Sequence, residues 1–225
     1  HAAFAMNVLE CKGVEFRYPA ATSGLTIEQF NLEAGESVFL TGPSGCGKTT
    51  FLNVCAGVLS PQKGSIHLMG NVFHSLSESQ RDRLRVDHIG FIFQQFNLLP
   101  FLSVLDNVVL PLQFSRRRRD RILPKTARES ALECLNTLGL GDLAGRKAAH
   151  LSVGQQQRVA VARALLGKPD LIIADEPSSA LDDENQRQFM KVLLEQCRLT
   201  GAALMMVSHD SRLGEYFQRH VQVKS

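Results

Sequence analysis

Gly42-Pro43-Ser44-Gly45-Cys46-Gly47-Lys48-Thr49-Thr50 fits the pattern G-x-x-x-x-G-K-[ST], with Gly42, Gly47, Lys48 and Thr49 in its four fixed positions. The chemistry asks for these residue types. Glycines let the backbone curl so that successive N–H groups point at phosphate oxygens, where a Cβ would collide with the ligand. Lys48 brings a mobile ammonium to the β- and γ-phosphates, and the Thr49 hydroxyl can ligate Mg²⁺. A glycine-rich turn before a helix is the plain alternative, and the flanks weigh against it. Residues 36–41 (Glu-Ser-Val-Phe-Leu-Thr) form a short apolar strand that feeds the loop. Residues 48–56 then have helical spacing, with Leu52 and Cys55 on one face and Gly57 as a stop. Strand, glycine loop and helix are the context a phosphate-binding P-loop requires.

The chain has 225 residues, 44% hydrophobic and 21% charged, an ordinary globular composition that can bury a real core. No run approaches the ~18 apolar residues of a membrane span, and the N-terminus lacks a secretory leader's layout. Net charge is +3, too small to imply nucleic acid, and no nucleic-acid partner is expected. The run Arg116-Arg117-Arg118-Arg119, followed by Arg121, reads first as a solvated loop or helix face. Anionic lipid or an acidic partner is its second reading and nucleic acid its third. Five scattered cysteines (Cys11, Cys46, Cys55, Cys134, Cys197) have no C-x-x-C spacing, which suggests free thiols in a reducing cytoplasm. Cys46, inside the P-loop, reads as a small space-filling residue.

Residues 8–17 and 25–33 read as strands around a turn at 19–24, with Tyr18 closing the first. A strand follows at 65–69, then a helix to about 86 opened by the capping box Ser77-Glu78-Ser79-Gln80. A buried strand at 88–93 ends at Gln94-Gln95. Beyond it, residues 96–102 (Phe-Asn-Leu-Leu-Pro-Phe-Leu) form an apolar loop, Ser103 caps a helix broken near Pro111, and residues 126–138 form an amphipathic helix. Residues 95–166 read as a helical insertion. Leu151-Ser152-Val153-Gly154-Gln155 precedes a helix running to Leu166, and the free hydroxyl of its N-cap Ser152 makes a second place suited to anions. Residues 171–174 and 202–207 are apolar strands of the doubly covered kind, ending in Asp175-Glu176 and Ser208-His209-Asp210. Open parallel sheets bind ligands at the carboxyl ends of their strands. The P-loop, the acidic pair and His209 can therefore share one site.

With these motifs in order and spacing, the chain resembles the ATP-binding cassette (ABC) ATPase subunit over essentially its whole length. Residues 42–49 match the P-loop, Gln94 the Q-loop, 151–155 the signature, and 171–176 the acidic Walker B strand. Ser179-Ala180-Leu181-Asp182 matches the D-loop and His209 the switch histidine. The signature is the most specific of these, since P-loops occur in many NTPases. Residues 93–100 and 155–165 are most similar to the MacB/LolD/FtsE-like branch, whose ATPases pair with permeases that have large periplasmic domains. Two positions depart from the pattern: Val153 replaces a glycine of Leu-Ser-Gly-Gly-Gln, and Ser178-Ser179-Ala180 looks more like importer ATPases.

The resemblance implies a single α/β domain over 1–225. Its RecA-like P-loop NTPase core, with mostly parallel sheet, and an N-terminal antiparallel β-subdomain would occupy 6–94 and 167–225, with an inserted α-helical subdomain at 95–166. It implies ATP stacked on Tyr18, with phosphates over the residue 43–49 amides and Lys48 on the β/γ oxygens. Mg²⁺ would be held by Thr49, Gln94 and Asp175. Glu176 would be the general base polarising the attacking water, and His209 would hold the γ-phosphate and align that base. Ser152, Val153, Gly154 and Gln155 would close over the ATP of a second copy in a head-to-tail dimer. A separate permease would be contacted through residues 94–105, placing the chain on the cytoplasmic face of the inner membrane. Export, extraction or mechanotransmission is the leading function; an importer ATPase, or a soluble ABC ATPase of DNA repair or translation, is the alternative.

Overall fold

The computed structural model describes residues 6–19 and 24–223; most of the turn expected at 19–24 lies outside them. In chain order the N-terminal half comprises β1 (Asn7–Phe16), β2 (Leu25–Glu33), β3 (Ser37–Thr41), α1 (Lys48–Cys55), β4 (Lys63–Leu68), β5 (Asn71–Val72), α2 (Glu78–His88) and β6 (Ile89–Ile92). Four helices follow: α3 (Val104–Phe114), α4 (Arg116–Asp120), α5 (Ala127–Thr137) and α6 (Val153–Leu165). The chain then returns through β7 (Leu171–Asp175), α7 (Asp183–Thr200), β8 (Ala203–Val207) and β9 (Arg219–Gln222).

Five strands form a parallel sheet in the order β6-β7-β8-β3-β9, and four form an antiparallel sheet in the order β2-β1-β4-β5. Period-2 alternation along the parallel strands decides what packs where. Phe39, Ile92, Ile172, Ala174, Leu204 and Met206 face one core, shared with α3, α5, α6 and α7. Val38, Leu40, Leu171, Ile173, Met205 and Val207 face the other, shared with α1 and the antiparallel sheet. Both faces are covered, which is why these strands are continuous apolar runs. This is the expected P-loop NTPase core, with its antiparallel N-terminal part and inserted helices. No helix among the described residues is long and apolar enough to cross a membrane.

Two expectations need correction. The helix after Ser103 does not break at Pro111 but runs on to Phe114. Pro111 withholds one backbone N–H, yet Val104, Leu105, Val108 and Leu112 are buried and keep the helix continuous through it. The arginine run is not simply a solvated face. It forms α4, and Arg118 is only 1% exposed.

The Arg118 guanidinium donates to the carbonyls of Ala164 (3.4 Å), Leu166 (3.3 Å) and Ile89, joining the end of α6 to the start of β6. Burial pulls its pKa down to about 10, so it stays charged at neutral pH. Gly167 makes the approach possible: its φ is +76°, and a Cβ there would lie 2.5 Å from the Arg118 Cβ. Nearby, the Asp170 carboxylate accepts from Arg121 at 2.8 Å and lies 2.6 Å from His88 Nδ1. Burial opposes the Asp170 charge, but the bonds from His88 and Arg121 outweigh it and hold the pKa below the usual carboxylate range. Its folded-state pKa is depressed, so its contribution to stability is present at neutral pH and lost as acidification passes below about 4. Arg118→Met keeps the volume but orphans three carbonyls. It is expected to destabilise the chain by roughly 2–4 kcal/mol in urea unfolding. A loss under ~1 kcal/mol would show that solvent or a rearrangement satisfies those carbonyls.

Candidate active site

Strand β3 ends at Thr41 and hands the chain directly to the glycine loop. Gly42 has φ +149°, and a Cβ there would sit 2.6 Å from Cys46 Sγ and 2.9 Å from the Val223 carbonyl, so no other residue fits. Gly47, with φ +95°, is the N-cap of α1 and offers no capping side chain. The N–H groups of Lys48, Thr49 and Thr50 therefore open the helix without intrahelical acceptors, and the helix dipole adds partial positive charge. The Lys48 ammonium folds back over the loop, donating to the carbonyls of Gly42 at 2.8 Å and Pro43 at 3.0 Å.

The neighbouring strands complete the edge. A cavity of about 590 Å³ is lined by the loop together with Glu176, Ser208 and His209. Thr49 Oγ1 donates to Asp175 Oδ1 at 3.4 Å, joining α1 to the end of β7 across 126 positions of sequence. The Asp175 pKa is raised, first by burial and then by the Glu176 charge, against opposing contributions from Thr49 and Lys48. A carboxylate held up in this way gains from a bound cation. Glu176 has φ +49°, a strained setting for a non-glycine residue, held by its N–H bond to the Val207 carbonyl at 2.9 Å. Its Oε2 is buried without an aligned hydrogen bond, although His209 Nδ1 lies 2.8 Å away. The His209 side chain is 70% exposed and faces solvent on its other side. An ammonium, helix-start amides, one desolvated carboxylate and one orphaned carboxylate oxygen suit a magnesium-bound triphosphate.

Not every expected residue meets here. Gly42, Ser44, Gly45, Gly47, Lys48, Thr49, Thr50, Glu176 and His209 line the cavity; Pro43, Cys46, Asp175, Tyr18, Gln94 and residues 152–155 do not, although Asp175 is bonded to Thr49. Tyr18 is exposed, with its ring edge-to-face on Phe16 at 4.9 Å, and Gln94 is exposed just past β6. Ser152 caps α6, and its hydroxyl is engaged in the cap. It takes the Gln155 N–H at 3.3 Å while Gln155 Oε1 takes the Ser152 N–H at 3.0 Å, a full capping box. The hydroxyl proton is left to donate outward. Val153 is 47% exposed, and a Cβ on Gly154 would meet open space. Thr41, Ser208 and Ser211 line the cavity without having been expected there. The available signal was position: Thr41 ends β3 and Ser208 directly follows β8.

A parallel sheet that presents a P-loop and an acidic strand end at one edge defines a P-loop NTPase. The ABC transporter family matches residues 25–179, and the chain belongs to that family as an ATP-hydrolysing subunit. It is 40% identical over 194 residues to the lipoprotein-releasing system ATP-binding protein LolD of Hydrogenovibrio crunogenus, covering 86% of this chain and 82% of that one. It is 38% identical over 201 residues to the macrolide export ATP-binding/permease protein MacB of Rhodopirellula baltica, spanning 89% of this chain and 28% of that larger one. A cassette of Methanocaldococcus jannaschii, solved as a dimer bound to ADP and Pi, superimposes with TM-score 0.81 at 35% identity, over 96% of this chain and 94% of that one. These relatives place the chain in the MacB/LolD-like branch, despite the importer-like Ser178-Ser179-Ala180.

Proposed function

We propose that two copies of this chain pair head to tail around two ATP molecules, with Ser152, Val153, Gly154 and Gln155 of each closing over the other's P-loop. One observation carries the reading. Lys48, Glu176 and His209 share one cavity, while the capped start of α6 lies outside it with Val153 exposed and open space over Gly154. The site of one chain is thus half a site. The relative solved as a dimer with ADP and Pi supports the arrangement.

Within each site Lys48 and the opening amides of α1 hold the β- and γ-phosphates, and Tyr18 stacks on adenine. Thr49, Asp175 and Gln94 are the residues that would hold Mg²⁺, which would offset the negative charge of the phosphates. Glu176 polarises the attacking water, and His209, beside it at 2.8 Å, holds its orientation. A complementation experiment tests the shared site. Lys48→Ala and Ser152→Arg homodimers are each expected to be inactive. Mixing them creates dimers with one intact P-loop facing one intact signature, so activity should reappear. No recovery would sink the head-to-tail arrangement.

The permease is placed on the apolar surface beyond β6. A groove of about 360 Å³ between α2, β6, α3 and α6 is lined by Phe91, Phe93, Leu110, Pro111 and Phe114. Phe114 is 66% exposed, and Leu99 and Phe101, within residues 94–105, are exposed as well. An amphipathic cytoplasmic helix of the permease fits such a groove. The chain then works at the cytoplasmic face of the inner membrane, with residues 95–166 moving as a unit during export, extraction or mechanotransmission. Phe114→Asp is expected to abolish co-purification with the permease while ATP-driven dimerisation of the isolated chain is kept. Retained co-purification would move the contact elsewhere.

A further inference from the structure

The loop after Gln94 turns through two consecutive left-handed residues, neither of them glycine: Phe96 with φ +58° and Asn97 with φ +47°. Asparagine tolerates that conformation, but a bulky phenylalanine rarely adopts it. Local hydrogen bonds within the turn run from Phe96 N to the Phe93 carbonyl at 3.0 Å and from Asn97 N to the Gln95 carbonyl at 2.6 Å. The outside support comes from two helices. Arg163 of α6 donates one guanidinium nitrogen to the Asn97 carbonyl at 2.7 Å and another to the Phe96 carbonyl at 2.6 Å. Asn107 of α3, fully buried, accepts from the Leu99 N–H at 2.8 Å and donates to the Leu99 carbonyl at 3.0 Å. Burial lowers the Arg163 pKa with no carboxylate offsetting it, so the two carbonyls carry its charge. The planar fork presents two nitrogens side by side to two adjacent carbonyls; a lysine on a shorter stem offers a single nitrogen and loses that paired geometry.

We propose that Arg163 is a positioning residue for hydrolysis: it clamps the strained Phe96–Asn97 turn and thereby fixes where Gln94, two residues upstream, presents its amide. The clamp is mounted on the helix whose capped start carries Ser152 to Gln155. About 15 Å of rigid α-helix separates the two ends. Any shift of α6 as that end meets a partner's nucleotide is therefore delivered to the carbonyls of the Gln94 loop. This inference rests on Gln94 contacting the nucleotide site, and the test separates the two.

The experiment compares Arg163→Met, Arg163→Lys, Asn97→Gly, the Arg163→Met/Asn97→Gly pair and Gln94→Ala. Each is measured for ATPase kcat and KM per folded protein, and for amide hydrogen exchange across residues 96–99 without nucleotide. Arg163→Met is expected to lower kcat roughly tenfold with KM for ATP within about threefold, and to speed exchange in the loop. Asn97→Gly is expected to restore most of both in the double variant, because glycine takes the left-handed turn without needing the clamp. If Arg163→Met does not fold, Arg163→Lys carries the same comparison with the paired fork geometry lost and the charge kept. Unchanged kcat and exchange in the Arg163 variants, alongside a loss in Gln94→Ala, overturns the positioning role alone. A loss in Arg163→Met that Asn97→Gly does not repair also overturns it, leaving a structural role. A normal Gln94→Ala overturns the route through Gln94 together with the reading beneath it.

Discussion

Glu176→Gln is expected to cut steady-state ATP turnover by roughly 10²–10⁴-fold while leaving ATP affinity nearly unchanged. The substitution preserves shape and removes the charge able to polarise water. Its backbone is held in a strained left-handed setting by the Val207 carbonyl, so the amide occupies the place of the carboxylate. Among the described residues Glu176 is the one carboxylate lining the cavity, and Asp175, beside it in the chain, accepts from Thr49. With turnover blocked, the ATP-bound state accumulates. The variant with ATP and Mg²⁺ is then expected to elute as a dimer in size-exclusion chromatography, and the nucleotide-free chain as a monomer. Turnover within about threefold of the parent would assign the base to another group. Monomer in both states would count against the shared site, even if turnover falls as expected.

Lys48→Ala separates binding from chemistry in the opposite direction. The ammonium is parked on the Gly42 and Pro43 carbonyls, both on the loop that surrounds the phosphates. Charge-assisted hydrogen bonds contribute about 1.5–3 kcal/mol each. Losing one such contact should weaken ATP binding roughly 10- to 100-fold in a titration with the nucleotide. The fold should be little affected, because the released carbonyls lie at a cavity open to water. Unchanged affinity would remove Lys48 from the phosphate site. A lowered melting temperature with unchanged affinity would make it a structural clasp of the loop.

Much of this architecture is written in local patterns. The glycines of residues 42–47, the capping boxes at Ser77, Thr126 and Ser152, and the apolar runs of β3, β7 and β8 each report on a few neighbouring residues. Helix α7 carries local signals too, since Asp182 caps it and Gly201 ends it in a left-handed turn. Strand β9 is short and half-exposed, with no run of its own; pairing to β3 alone makes it a strand.

The sequence by itself determined that the chain carries a P-loop and that the class is the ABC ATPase, because each of those motifs lies within a short stretch of chain. Tertiary structure decided the rest. Arg118 reads as one of four like charges until the ends of α6 and β6 surround it with carbonyls 29 to 48 positions away. The strained turn at Phe96 and Asn97 has no local signal, because Arg163 and Asn107 hold it from two separate helices. Burial and strain depend on what packs against a residue, and that partner is chosen by the fold rather than by the residue's neighbours in sequence.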